Sequence, residues 1–154
     1  MKKWVPFLII ALIIALPIAW FLASPLFLDK TVNEQLPKSN LGTSGNAEEE
    51  TAKGSFADAD NFHKTSGIAK ITVIDGKRYL SFEDFKTTNG PDLYVYLSKD
   101  NGAGDFVNLG RLKGNIGNQN YEIPEGTDID SYSKVLIWCR TFSVLFGSAD
   151  LHTV

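Results

Sequence analysis

The chain holds a single cysteine, Cys139, and two histidines, His63 and His152. These side chains are well suited to redox, metal and proton chemistry near neutral pH. Cys139 sits in Val135-Leu136-Ile137-Trp138-Cys139-Arg140. A cysteine outside the cytoplasm normally has a disulfide partner, and this one has none within its chain. Four roles are open to it: a free thiol, an intermolecular link, a cofactor ligand or an inert core residue.

Thiol chemistry runs through the thiolate, which a nearby cation favours. Arg140 is adjacent, but neighbours on a strand point to opposite faces. Cys139 then shares a face with Val135 and Ile137, and Arg140 with Leu136 and Trp138. Arg140 reaches the thiol only if the strand breaks, and Arg140-Thr141 is where a break is expected, because Val135 to Phe146 is long for one strand. Burial as a small hydrophobe is the competing reading, since free cysteine is among the most buried residue types.

Other chemistry finds less support. A blue-copper site takes two histidines, one cysteine and usually an axial methionine; the count of His63, His152 and Cys139 allows it, but the only methionine is Met1 and His152 lies near the terminus. No metal site is expected. Asp58-Ala-Asp60-Asn61 opens like a calcium loop, yet His63 and Ala69 stand where glycine and glutamate are needed. Asp128 and Asp130 read as a solvated turn. Gly102-Ala-Gly104 lacks the strand and helix of a phosphate loop. Ser143 has no histidine at a recognisable motif spacing. Tyr94, Tyr96 and Tyr121 form either an exposed aromatic platform or part of a buried sheet face.

The elements that position these residues fall into three segments of the 154-residue chain. Residues 1–28 are a basic tip followed by Trp4 to Leu28, 25 residues without a charged side chain. That is long enough for a membrane-spanning helix and too long for the apolar core of a secretory signal. Lys2 and Lys3 precede the run, so the N-terminus is expected in the cytoplasm and the rest outside, in a periplasmic or extracellular space. Residues 29–53 show no period and read as a flexible linker ending in the solubilising run Glu48 to Glu50. Residues 54–154 carry β-like runs at Ile68–Ile74, Lys77–Phe82, Leu93–Leu97, Phe106–Leu112, Gln119–Ile123, Val135–Cys139 and Phe142–Ala149. Asp75-Gly76 between two of them is a hairpin signal. The expectation is an all-β domain, an antiparallel β-sandwich of about eight strands, behind one N-terminal transmembrane helix. The net charge of −3 gives no footprint for nucleic acid.

Several segments combine into a family pattern: Gly54-Ser-Phe56, His63-Lys-Thr-Ser-Gly67, Phe85 with Gly90-Pro-Asp-Leu-Tyr-Val-Tyr96, Asn118-Gln-Asn-Tyr-Glu-Ile-Pro124, Trp138-Cys139 and Phe142-Ser-Val-Leu-Phe-Gly147-Ser-Ala149-Asp-Leu151. Together they resemble the electron-transfer DM-thirteen domain, found beside DOMON domains in Skeletor-type proteins. The resemblance covers about residues 54–151. It implies an all-β extracytoplasmic module built around one cysteine, here Cys139, working through the thiol or through a non-covalently bound haem. In that reading Trp138 shapes the site, Arg140 favours the thiolate, and His63 joins Cys139 as a candidate haem ligand. The expected partners are the membrane, through residues 4–28, and a redox protein; a stand-alone enzyme is not expected. The reading from another class is a cell-surface binding or adhesion module with Cys139 as core.

Overall fold

The computed structural model describes residues 4–24, 28–39 and 49–154. One helix, α1 (Val5–Ala23), precedes nine strands: β1 (Glu49–Asp58), β2 (Thr65–Ile74), β3 (Lys77–Thr87), β4 (Leu93–Ser98), β5 (Phe106–Arg111), β6 (Gln119–Ile123), β7 (Lys134–Cys139), β8 (Val144–Asp150) and β9 (His152–Thr153). All strand pairs are antiparallel, in the order β5-β4-β7-β8-β1-β2-β3-β6, with β9 also on β1. The all-β expectation holds. The two layers, however, are one continuous sheet that turns a corner and is nearly a barrel.

The corner is β1. Its first half pairs with β2 and β9, and its last residues, Phe56 to Asp58, pair with β8. Gly54 lies at the transition, where a Cβ would stand 2.0 Å from the Asp150 carbonyl oxygen. Only glycine permits that approach. Strand alternation then turns one face inward. Ala69 and Ile71 of β2, Leu80 and Phe82 of β3, Leu93, Val95 and Leu97 of β4, and Val135, Ile137 and Cys139 of β7 share one core. Phe56 packs edge to face on both Phe82 and Phe85 at its centre. The hairpin signal holds as well: Asp75 and Gly76 have φ of 51° and 78°, the two positive values a type I′ turn requires.

The expected linker is different where the structure describes it. Glu49 to Lys53 open β1, because their backbone groups pair with β2. Residues 28–39 contain an extended strap on the 113–120 loop: Val32 N–H donates to Ile116 O, Glu34 N–H to Asn118 O, and Lys30 N–H to Asn115 Oδ1. Gly114 and Gly117 make room for it, since a Cβ on Gly117 would stand 2.1 Å from Val32 O. Glu34 clamps the strap through Lys113 Nζ (2.7 Å) and Asn120 N–H (2.9 Å). Burial opposes ionisation of Glu34, but these two donors outweigh it and hold its pKa below the usual value.

The N-terminal expectation also needs correction. Among the described residues no helix is long and apolar enough to cross a membrane. Helix α1 has 19 residues, about 28 Å, against a hydrocarbon core of about 30 Å. It is shorter than the 25-residue apolar run of the sequence, part of which lies outside the described residues.

Candidate functional site around Cys139

Cys139 is the last residue of β7, between Leu93 of β4 and Val144 of β8. Its exposure is 0% and it is not disulfide-bonded. The side chain faces the core with Val135 and Ile137, as strand alternation predicts. A link to a second chain therefore needs the fold to open first.

The strand does break after Cys139. Residues 140–143 form the β7–β8 turn, with Ser143 at φ 53°, so the second run begins at Val144 and not at Phe142. Yet the break does not bring Arg140 to the thiol. The Arg140 backbone N–H donates to Asp92 O at 3.0 Å. Its guanidinium lies 4.3 Å from the centre of the Tyr94 ring and its Nε 3.3 Å from Asp92 Oδ2. Thr141 Oγ donates to the same carboxylate at 3.0 Å. Arg140 and Trp138 belong to the outer face of this layer, where Trp138 pairs with Tyr94. Tyr96 stacks on Phe106 there, with ring centroids 4.1 Å apart.

His63 lies in the β1–β2 loop. Its Nδ1 and Asp60 Oδ2 are 2.7 Å apart, and its ring is 4.2 Å from that of Phe146, a core residue shared with Cys139. Asp60 also accepts the N–H groups of Phe62 and His63. The hydrogen bond from the His63 ring, then those backbone donors, hold the Asp60 pKa down at about 2. Asp58 accepts the Thr65 N–H and pairs with Lys64. The acidic turn thus uses its carboxylates on its own loop, and no group of three metal-ligating side chains occurs among the described residues. His152 pairs with Lys53; Asp58, where the His63 loop begins, lies five residue steps further along β1, about 16 Å. The copper combination is thereby dispersed.

The haem expectation meets a similar obstacle. A haem needs an apolar slot open to its axial ligand. Cys139 is enclosed by core side chains, and neither it nor His63 lines the hollows of about 300, 240 and 390 Å³ on the surface. The residues as arranged do not fit a haem.

Sequence reasoning missed the role of Gln119. This side chain is fully buried; its Oε1 accepts from Lys113 N–H, Gly114 N–H and Tyr121 O–H, and its Nε2 donates to Gly114 O. Burial pushes the Tyr121 hydroxyl pKa far up. Tyr121 is therefore a core residue and no part of an exposed platform. Its place in Asn118-Gln-Asn-Tyr was the available signal: polar residues alternating into a strand imply a built network. Asn118 supports the irregular β3 backbone, accepting the N–H of Asp84, whose φ is 49°.

The fold and the buried thiol define an all-β domain with one enclosed cysteine at the end of a central strand. The chain belongs to the electron transfer DM13 family, whose model matches residues 55–151. No curated protein and no solved structure matches the chain.

Proposed function

We propose that this chain is a redox module held at a membrane surface on the non-cytoplasmic side, with Cys139 as its centre. The observation that carries the reading is membership of an electron transfer family over nearly the whole β domain. The tether is the apolar segment 4–28: α1 has no charged side chain, and apolar residues along its length, such as Leu8, Ile13 and Leu16, are exposed. The described helix is too short to cross by itself, but the whole uncharged run from Trp4 to Leu28 has the length of a span, and Lys2 and Lys3 before it favour a cytoplasmic N-terminus.

The chemistry assigned is thiol–disulfide exchange. The Cys139 thiolate attacks one sulfur of a partner's disulfide, a mixed disulfide forms, and the second partner sulfur leaves as thiolate. With no second cysteine in the chain, an external thiol must resolve the mixed disulfide. Because Cys139 is enclosed, exchange requires the 140–143 turn to open. Arg140 and Thr141, fastened to Asp92, then act as the latch.

One observation favours the binding-module reading: a fully enclosed cysteine beneath an outer face bearing Tyr94, Phe106 and Arg140. Both readings are tested with the full chain in detergent. It is incubated with a small aromatic disulfide while released thiolate is followed, with Cys139→Ala alongside. The redox reading expects one equivalent of released thiolate, lost in Cys139→Ala with the β-sheet circular dichroism unchanged. Absence of release from the native wild-type chain, with release only on unfolding, would transfer the assignment to the binding module.

A further inference from the structure

We propose that the loop end of the β domain, tipped by Phe62 and Phe142, rests in the lipid surface beside the tether. This inference depends on the reading of segment 4–28 as membrane-embedded. Phe62 is 83% exposed and Phe142 65% exposed. Both lie at one end of the sheet, because β1 and β8 pair with Asp58 opposite Gly147. The loop after β1 and the turn before β8 therefore emerge together.

Their backbones are tied down, so the rings are held outward. Phe62 N–H donates to Asp60 Oδ1 at 2.7 Å, and Phe62 O accepts from Thr88 Oγ at 3.4 Å. The Phe142 turn is fastened by Arg140 and Thr141 to Asp92. Two large aromatic side chains fixed in water at neighbouring tips lose favourable burial that a lipid interface restores.

The occupant follows from where the apolar helix leaves the domain. Asp29 Oδ1 accepts from Asn89 Nδ2 and Asn115 Nδ2 at 2.9 and 2.8 Å, in the loops of this same end. One residue earlier, Leu28 N–H donates to Ser24 O at 2.9 Å, so the start of the strap lies against the C-terminal end of α1. The helix thus leaves from the end that carries the two rings, and at the level of Asp29 there is no slack between them. The opposite end, with the Asp75-Gly76 hairpin and Glu125, points away.

The test places a nitroxide at Phe62→Cys, at Phe142→Cys and, as the distal reference, at Glu125→Cys. Each full-length variant is reconstituted in phosphatidylcholine vesicles. All three are made in a Cys139→Ala background, so that only the introduced cysteine carries the label, and the Cys139→Ala chain serves as the blank. Collision with oxygen relative to a water-soluble nickel complex should rise several-fold at positions 62 and 142 over position 125. Equal, water-like ratios at all three positions in protein that floats with the vesicles would overturn the inference and leave the anchor standing. Loss of collision with both reagents at 62 and 142 would also overturn it, in favour of a protein contact. Failure to float would remove the anchor reading itself, and this inference with it.

Discussion

Enclosure of Cys139 makes its alkylation a measure of how the domain opens. A thiol with 0% exposure reacts only from an open state. The smallest opening frees the 140–143 turn. It breaks the Arg140 N–H bond to Asp92 O and the Thr141 bond to the Asp92 carboxylate, about 1 kcal/mol each. It also frees the Arg140 guanidinium from Asp92 and Tyr94, together about 1 kcal/mol at this solvent-exposed position. Exposing the thiol adds about 1 kcal/mol. The sum, about 4 kcal/mol, lowers the rate about 1000-fold below that of the unfolded chain, at 1.4 kcal/mol per factor of ten. Global unfolding, at about 5–15 kcal/mol, would be slower still. Intact-mass kinetics with iodoacetamide, with and without urea, read the ratio directly. Arg140→Ala should speed native alkylation by roughly tenfold or less while barely changing the urea midpoint. A wild-type rate within about tenfold of the unfolded chain would refute the enclosure argument. An Arg140→Ala rate that rises only with lost global stability would refute the latch.

Other consequences follow from particular contacts. Gly117→Ala places a methyl group against Val32 O and strains a backbone at φ 97°; hydrogen exchange at Val32 and Glu34 should accelerate, and unchanged protection there would contradict the docked strap. Gln119→Leu leaves the Gly114 N–H and the Tyr121 hydroxyl without their acceptor and Gly114 O without its donor, which should lower stability in urea unfolding by about 3 kcal/mol or more, since each buried orphan costs about 1–3 kcal/mol. Asp60 has a folded pKa of about 2, below its ordinary 3.8. Its stabilising contribution is therefore complete above pH 3.8 and lost as pH falls through about 2. A carboxyl titration by NMR should find that low midpoint in the wild-type chain and a rise toward 3.8 in His63→Ala. Gly54→Ala pushes β1 from Asp150 by overlap with a carbonyl. It should cost about 1–3 kcal/mol, and a loss under about 0.5 kcal/mol would show that the corner yields freely.

Local pattern carried much of the fold. Alternation in Leu93-Tyr94-Val95-Tyr96-Leu97 assigned the inner and outer faces, because strand neighbours must point oppositely. Asp75-Gly76 specified its own turn through positive φ. The position of Cys139 on the Val135 and Ile137 face followed from the same alternation, and so did its enclosure once β7 became a central strand. The family pattern was legible because it combined several separated segments.

Pairing between distant segments was not legible, and it decided the rest. Glu49 to Lys53 look like linker because their strand character comes from β2 alongside, not from a period of their own. The strap's order lies in Asn115, Gly117 and Asn120, about 85 residues downstream. Arg140 could be placed by sequence on the face opposite Cys139, but only the approach of Asp92 and Tyr94 showed what holds it there. Sequence by itself determined most of the strands after residue 65 and their two faces, the Asp75-Gly76 turn, and the placing of Cys139 on the face of Val135 and Ile137. Only the tertiary structure decided that β1 joins two layers into one sheet, that Gln119 and Tyr121 form a buried network, and that Cys139 is closed from solvent. The physical reason is that alternation is a property of neighbouring residues, whereas burial and hydrogen-bond satisfaction depend on what the rest of the chain brings against them.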